Sequence, residues 1–200
     1  HHFTNLGNHG YPRLYQNFAN EAIIPLNDFG GGSGTGDLWV HEPGFPKDFG
    51  NTLLTCDWTT GNIYHNPVTP EFASYSVKQD VFLKLPRATD VDVDGFSRLY
   101  IADWRNGGFN HAKDAKPVGV IQQVTCPTEK PAQYMDVTKA SDDDLVKLIT
   151  SRSGVQRIEA QWEILKRGKI VAASPEAKKP HNIFGARTFL LWLGTSIFLR

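Results

Sequence analysis

The chain has 200 residues, enough for one domain of ordinary size, or for one domain and part of another. Lys and Arg together number 21, as do Asp and Glu, so no overall field attracts the chain to nucleic acid or to an anionic membrane, and we expect no nucleic-acid partner. Hydrophobic residues make up 40% of the sequence and aromatic residues 12%, and with 18 glycines this favours a folded protein rich in strands and tight turns.

The two ends of the sequence predict a fragment without a membrane span. The chain begins with His1-His2-Phe3 and shows no signal-peptide pattern, so we expect it to be part of a larger protein. Residues 189–199 are apolar but cover only about half of the length that a bilayer requires. We therefore expect a buried helix that begins near Arg187, and no transmembrane span.

Residues 1–135 combine short apolar runs with Gly, Pro, Asn, Asp and Thr, a composition typical of strands and turns. The glycine-rich segment 30–36 lacks the Gly-Lys-Ser/Thr of a phosphate loop, so we expect it to serve close backbone packing rather than ligand contact. The clearest predicted strands are 38–40, 52–56, 81–85, 99–102 and 118–124.

An internal repeat lies in this part of the chain. The pattern Leu-x-x-x-Asp-Trp-x-x-Gly occupies residues 53–61 and recurs 46 residues later, at 99–107. A period of about 40 to 50 residues with several short strands in each unit is typical of β-propeller blades. We expect the repeated Asp57 and Asp103 to accept hydrogen bonds from nearby backbone N–H groups, and Trp58 and Trp104 to pack between blades.

The character of the sequence changes near residue 140. Ser141 followed by three aspartates predicts a helix start, and apolar residues at helical spacing over 155–165 predict a second helix that stops at Gly168. The pair predicts an α-hairpin that resembles a HEAT repeat, followed by a linker at 170–182 and a further helix at 183–199. The predicted fold is therefore mainly β with an α-helical C-terminal part, with a partial β-propeller over 1–135 and a truncated HEAT-like region over 136–200.

An acidic segment, residues 90–95, resembles the start of a calcium-binding loop. An EF-hand needs a carboxylate at loop position 12, which is Ile101 here, so that motif is incomplete. A strand with alternating valines and an Asp-Gly turn is the favoured interpretation, and a single calcium ion at the end of this strand stays an alternative.

Few other residues are candidates for catalysis or ligand binding. Cys56 and Cys126 form neither a zinc motif nor the Cys-x-x-Cys-His of haem attachment, and either a disulfide or two buried free thiols fits the sequence. His41 directly follows a predicted strand and is a candidate for a channel-facing position, with a solvated or capping role as the alternative. Arg87 and Arg105 lie near predicted strand ends, where a guanidinium could hold an anionic ligand.

Several segments of the chain resemble a known family. Segment 6–12 resembles the Asn-x-Gly-aromatic-Pro turn of soluble quinoprotein sugar and sorbosone dehydrogenases, and segments 51–54 and 87–101 resemble the last blades of the six-bladed propeller of that family. Segments 33–36, 41–46, 55–61 and 103–109 resemble a planctomycete-type branch in which such a propeller precedes HEAT repeats and a c-type haem domain.

The resemblance implies a site for pyrroloquinoline quinone. In the family the quinone carboxylates are held by a Thr, a Lys and two Arg. One arginine falls on Arg87, whereas the second falls on Thr89, the lysine on Thr59 and the threonine near Gly31. The family's catalytic histidine and calcium ligands lie on earlier blades, outside this chain.

Two functions follow from this resemblance. The first is part of a periplasmic or secreted oxidoreductase that acts on sugars or alcohols with pyrroloquinoline quinone and calcium, and passes electrons to a haem c outside this chain. Arg87, Arg105 and His41 are its candidate cofactor-binding residues, and no catalytic residue is assigned. The alternative is a non-catalytic module in which the propeller binds a polysaccharide and the HEAT-like helices bind a protein partner.

Overall fold

The structure is a computed structural model that describes residue 27 and residues 32–49, 52–105 and 118–167. Several sequence predictions lie outside these residues: the motif at 6–12, Gly30 and Gly31, the linker at 170–182 and the helix at 183–199. Two units divide the described chain. The first contains residues 27, 32–40, 46–49, 52–93, 98–105 and 118–125, and the second contains residues 41–45, 94–97 and 126–167.

The described residues are mainly β, as predicted, with two helices following the strands. The strands are β1 (Gly34–Val40), β2 (Thr52–Asp57), β3 (Asn62–Asn66), β4 (Val68–Glu71), β5 (Ser74–Val77), β6 (Asp80–Lys84), β7 (Ala88–Val93), β8 (Leu99–Asp103) and β9 (Val120–Val124). The five clearest predicted strands correspond to β1, β2, β6, β8 and β9, with ends shifted by a few residues. Because β3, β4 and β5 lack a run of apolar residues, the sequence pattern did not reveal them.

Both larger sheets of the first unit are antiparallel meanders. The first sheet has the order β1-β2-β3-β6, with the β4–β5 hairpin inserted before its last strand, and the second has the order β7-β8-β9. Asp57 ends β2 and pairs with Asn62 at the start of β3, as Asp103 ends β8 and pairs with Val120 at the start of β9. The sequence repeat therefore corresponds to a repeat in strand order and register.

The two sheets pack together through β1, β2 and β7. The Thr35 hydroxyl donates a hydrogen bond to the Ala88 carbonyl at 3.0 Å, so the start of β1 is fixed to the start of β7. Buried side chains from both sheets form the apolar core of this unit, and each buried Val, Leu or Ile stabilises it by about 1.5–3 kcal/mol relative to an exposed position. Its members include Val40, Leu54, Cys56, Ile63, Ala88, Val91, Leu99 and Ile101.

Glycine allows this close approach. A methyl group at Gly36 would overlap the backbone and carboxylate of Asp90 on β7, and one at Gly32 would overlap the carboxylate of Asp57. The prediction that glycines of the 30–36 segment serve close packing is confirmed for Gly32 and Gly36. The segment is not entirely a loop, however, because β1 already begins at Gly34.

The acidic segment forms a strand and a turn, as the favoured interpretation predicted. Val91 of β7 is buried whereas Asp90 and Asp92 are not, and the turn follows Val93. Asp94 accepts hydrogen bonds from Phe96 N through its carboxylate and from Ser97 N through its carbonyl. Ser97, with φ of 61°, is the residue in the left-handed region, so the loop is longer than a two-residue Asp-Gly turn.

The predicted helix pair is present in the second unit as α1 (Asp142–Leu148) and α2 (Gly154–Arg167). The Ser141 hydroxyl accepts the Asp144 N–H at 3.1 Å and is the N-cap of α1, as the sequence indicated. The helices share one apolar cluster of Val137, Ala140, Leu145, Val146, Ile149, Ala160 and Ile164. Neither described helix has the length of apolar sequence that a bilayer span needs.

Replacement of Gly36 tests the packing of β1 on β7. Gly36→Ala places a methyl group against Asp90, so we expect a loss of about 1–3 kcal/mol in the free energy of unfolding. The matched control is Gly34→Ala in the same strand, where the residue is exposed. Chemical denaturation of both variants makes the comparison, and equal stabilities would contradict the close approach.

Candidate functional site

Each copy of the repeat places a buried carboxylate where its second strand ends. Asp57 is 0% exposed, and its Oδ1 accepts hydrogen bonds from Thr60 N at 2.7 Å and Thr60 Oγ1 at 3.0 Å. Asp103 is 2% exposed, and its Oδ1 accepts from Arg87 N at 3.0 Å and Arg105 N at 2.9 Å. The predicted role of both aspartates as acceptors for nearby backbone N–H groups is confirmed.

The tryptophan after each aspartate makes a second backbone hydrogen bond, which is equivalent in the two copies of the repeat. Trp58 N donates to Ser33 O at 2.8 Å, and Trp104 N donates to Arg87 O at 2.9 Å. Ser33 directly precedes β1, and Arg87 directly precedes β7. Each Asp-Trp turn therefore holds the start of the first strand of its own sheet, and we call the region formed by residues 33, 57–61, 87 and 103–105 the Asp-Trp end of the first unit.

Arg87 connects the two Asp-Trp turns. Its guanidinium carbon lies 4.1 Å from the centre of the Trp58 ring, and its Nη1 donates to Trp58 O at 3.5 Å. Its backbone N–H and carbonyl are bound by Asp103 and Trp104. One residue thus joins the turn of the first sheet to the turn of the second, by a cation–π contact and by backbone hydrogen bonds.

The second candidate arginine lies at the same end. Arg105 is exposed, has φ of 58°, and donates its backbone N–H to the same Asp103 oxygen that receives Arg87 N. The left-handed conformation of a non-glycine residue is costly, and the buried carboxylate holds it in place. The structure therefore brings the backbones of Arg87 and Arg105 together on a single carboxylate.

The positions that correspond to the other family ligands carry hydroxyl groups. Thr59 is exposed at the Asp-Trp end, where its Oγ1 donates to Ser33 Oγ at 3.2 Å. The Thr89 hydroxyl donates to the Ala102 carbonyl at 3.1 Å, within the second sheet. Neither side chain adds positive charge near Arg87.

The third candidate residue, His41, belongs to the second unit, at the start of α2. Its carbonyl accepts Gly154 N at 2.6 Å, and its Nδ1 lies 2.8 Å from Arg157 Nη2. A guanidinium only donates, so Nδ1 accepts and the imidazole is the neutral tautomer with its proton on Nε2. Burial and then the positive charge of Arg157 lower the pKa of His41.

Glu42 completes the cap of this helix. Its Oε1 accepts Val155 N at 3.0 Å, and Ser97 donates to its Oε2 at 3.3 Å. Ser153 Oγ accepts Gln156 N at 3.2 Å. The N–H groups of the first three residues of α2 are thus satisfied by His41, Glu42 and Ser153.

Burial governs the acid–base behaviour of this cap. Glu42 is 2% exposed, and desolvation raises the pKa of its carboxyl group, although hydrogen bonds from Val155, Ser153 and Ser97 act in the opposite direction. A carboxylate enclosed in this way and committed to a helix N-terminus has a structural role rather than a proton-transfer role. No local sequence pattern predicts this pairing, because Glu42 and Val155 are 113 residues apart.

The described residues do not fit pyrroloquinoline quinone. A tricarboxylate needs several cationic donors, and the Asp-Trp end supplies Arg87, which is held on Trp58, and the exposed Arg105. His41 is in the other unit and is engaged by Arg157. The threonine that the resemblance places near Gly31 lies outside the described residues. We derive no chemical step through this cofactor.

The carboxylates of the described residues do not support a calcium site either. Among the described residues, no group of three or more His, Cys, Asp or Glu side chains is placed to hold a metal ion. In the acidic segment, Asp92 Oδ1 accepts Val93 N at 2.8 Å and Asp94 Oδ1 accepts Phe96 N at 3.0 Å. These carboxylates stabilise their own strand and turn.

Both cysteines are free thiols. Cys56 is buried in the core, and burial, followed by the charges of Asp90 and Asp37, raises the pKa of its thiol to about 12. Cys126 is only partly buried, which corrects the prediction of a second buried thiol. The raised pKa of Cys56 is the opposite of what a nucleophilic cysteine needs. Hydrogen bonds from the side chain and backbone of Thr128 lower the pKa of Cys126.

Arg87 and Arg105 form a matched pair for a stability test. Arg87→Ala removes the guanidinium from Trp58, so we expect a loss of about 1 kcal/mol in the free energy of unfolding. Arg105→Ala removes an exposed side chain and keeps the backbone geometry, so its effect should stay within about 0.5 kcal/mol. Urea denaturation measures both free energies of unfolding, and equal losses would contradict the role of Arg87 in joining the two turns.

The cap of α2 predicts a pH dependence. Because the folded-state pKa of His41 is lowered, the unfolded chain takes up this proton more readily, and stability falls as the pH drops below about 6.5. Glu42 changes stability in the opposite direction. Because the folded-state pKa of Glu42 is raised, the folded chain takes up this proton more readily than the unfolded chain, so stability falls as the pH rises above about 4.5.

Two variants separate these contributions. His41→Gln should reduce the loss of stability on acidification, and Glu42→Gln should make it steeper because the opposing carboxyl is removed. Hydrogen exchange of the α2 amides between about pH 4.5 and about pH 7.5 reports on this unit and covers both contributions. An unchanged pH dependence in His41→Gln would overturn the assignment.

Comparison with known proteins leaves the family open. No protein-family model, no curated protein and no solved structure matches the chain. The resemblance to quinoprotein dehydrogenases therefore depends on the sequence motifs alone, and the function has to be inferred from the residues and their geometry.

Proposed function

We propose that the first unit consists of two neighbouring blades of a β-propeller and that α1 and α2 form a HEAT-like pair. Three features support the blades: the strands β1-β2-β3 and β7-β8-β9 follow one plan, the two sheets pack through β1 and β7, and each second strand ends in a buried aspartate followed by tryptophan. A blade exposes apolar faces unless it has neighbours, so this architecture belongs in a larger ring of sheets.

We propose further that this propeller is a non-catalytic binding module for a neutral saccharide. The observation that carries this proposal is the position of Arg87, the one family cation retained by the sequence. Its guanidinium stacks on the Trp58 ring, and its backbone forms hydrogen bonds with Asp103 and Trp104. This arginine therefore joins the two sheets. Among the described residues of the Asp-Trp end, Arg105 is the one cation that is not stacked on an aromatic ring, and this suits an uncharged ligand better than a tricarboxylate.

The chemistry of this end suits sugars. Thr59 and Thr60 are exposed hydroxyl residues on the turn after β2, and Arg105 is an exposed donor on the turn after β8. Hydroxyl and guanidinium groups hydrogen-bond sugar hydroxyls, and the half-buried indole of Trp58 offers an apolar surface beside them. The proposed extracytoplasmic location rests on the family resemblance, and a protein-binding role for the helical pair stays a prediction.

The dehydrogenase-like oxidoreductase is the second candidate. It is favoured by one observation, that Arg87 and Arg105 are both anchored through their backbones on Asp103 Oδ1 and so belong to the same end of the unit. In that case Trp58 would have to release Arg87 when an anion binds.

Titration of the full chain separates the two candidates. We expect neutral oligosaccharides from a glucan, galactan and mannan panel to bind in a saturable way in isothermal titration calorimetry, and binding to be lost in Trp58→Phe with Thr59→Val. The matched control is Trp162→Phe, which removes an exposed indole from the second unit and should leave saccharide binding unchanged.

Pyrroloquinoline quinone with calcium is the competing ligand in the same titration. Its binding, weakened by Arg87→Ala and accompanied by dye reduction with aldoses, would contradict the binding-module proposal and establish the oxidoreductase. Binding of neither ligand class to a chain that melts cooperatively would reject both candidates.

A further inference from the structure

The two copies of the repeat differ at the second carboxylate oxygen of the buried aspartate. In the second copy, Oδ2 of Asp103 accepts a hydrogen bond from Gln122 Nε2 at 3.2 Å. In the first copy, Oδ2 of Asp57 is buried, and no described residue donates a hydrogen bond to it. Asp103 thus receives three N–H donors, whereas Asp57 receives one N–H and one hydroxyl, both from Thr60.

Strand register explains why this donor is missing from the first copy. Gln122 lies on β9, two residues after the partner of Asp103. The same position on β3, two residues after the partner of Asp57, is Tyr64. The Tyr64 hydroxyl accepts the side-chain N–H of Asn62 at 2.9 Å. The first copy therefore has a phenol where the second copy has the amide that serves its aspartate.

A second buried oxygen lies beside the Asp57 carboxylate. Asn62 is the cross-strand partner of Asp57, so the two side chains share one face of the sheet, with Cβ atoms about 4.5–5.5 Å apart. Oδ1 of Asn62 is also buried, and it too receives no hydrogen bond from a described residue. On the other side, the partner of Asp57 is Gly34, and a methyl group at Gly32 would overlap Oδ2. Neither glycine places a side chain beside the carboxylate.

Two neighbouring acceptors require a donor or a cation, and the charge of Asp57 favours a cation. Buried polar atoms nearly always have a partner, and buried charges are paired or coordinate a metal ion. None of the ion pairs among the described residues includes Asp57. Lys84 lies opposite Asn62 on β6, but it is exposed. One carboxylate and one amide oxygen carry a single negative charge, which a monovalent cation neutralises, whereas calcium sites usually contain several carboxylates.

We propose that Oδ2 of Asp57 and Oδ1 of Asn62 bind a monovalent alkali cation. This cation takes the place in the first copy that the Gln122 amide has in the second. It joins β2 to β3 where the Asp-Trp turn begins, and it completes the partners of the less satisfied of the two buried aspartates. The inference depends on the comparison of the two copies and does not require the saccharide proposal.

The test measures the melting temperature (Tm) of the full chain in sodium chloride, potassium chloride and tetramethylammonium chloride at equal ionic strength. Tetramethylammonium is too large to enter between two buried oxygens, so it controls for general effects of salt. We expect Tm to rise saturably in sodium or potassium chloride, by about 4–8 °C at about tenfold excess over the dissociation constant, because the folded chain alone holds the cation.

Variants of the two copies locate the site. Asp57→Asn should abolish the cation-specific rise, because an amide has no charge to neutralise. The matched control, Asp103→Asn, should lower Tm but keep the rise. Tyr64→Gln places an amide at the position that Gln122 has in the second copy, so it should supply the missing donor and remove the dependence on the cation. Circular dichroism checks that each variant is folded.

Three outcomes would overturn the proposal. Equal Tm values of the native chain in all three salts would show that no alkali cation binds. A cation-specific rise that survives in Asp57→Asn or in Tyr64→Gln would place the cation elsewhere. A rise that appears only in Lys84→Gln would show that the ammonium group of Lys84 already serves the two oxygens.

Discussion

Two buried carboxylates hold the first unit together. A carboxylate taken out of water is costly unless hydrogen bonds compensate it, and backbone N–H groups of the turns that follow supply such bonds to Oδ1 of Asp57 and of Asp103. Oδ2 of Asp57 is buried without a hydrogen-bond partner among the described residues, so the compensation of that carboxylate by the chain is partial. Asp103 also accepts the N–H of Arg87, so it fixes the entry into β7 as well as its own turn. Strand order, turn shape and the position of Arg87 therefore depend on the same interactions.

This dependence decides how Arg87 should be interpreted. A guanidinium at a sheet end has the chemistry of an anion site, but here it lies on the Trp58 ring while its backbone is bound by Asp103 and Trp104. A ligand that required Arg87 would have to compete with contacts that join the two sheets. A neutral ligand bound beside those contacts leaves them in place, which is why the saccharide proposal agrees best with the geometry.

Short sequence patterns predicted those parts of the structure that depend on interactions between residues close together in the chain. The Asp-Trp repeat, the alternation around Val91 and the Ser141 cap each depend on residues a few positions apart. The strand β3 escaped prediction because Asn62–Asn66 is mostly polar and is buried by partner strands rather than by its own pattern. The cap of α2 by Glu42 escaped because it joins distant segments, and only tertiary structure brings these together.

Hydrogen exchange at three turn amides tests whether the two aspartates hold the first unit together. Amides in short turns usually exchange quickly, but those of Thr60, Arg87 and Arg105 donate to buried carboxylates. If the two aspartates hold these turns, all three amides exchange as slowly as the central amides of β2 and β8, and Asp103→Asn accelerates exchange at Arg87 and Arg105 but not at Thr60. Exchange of these amides at the rate of exposed loops in the native chain would contradict the central role of the two aspartates.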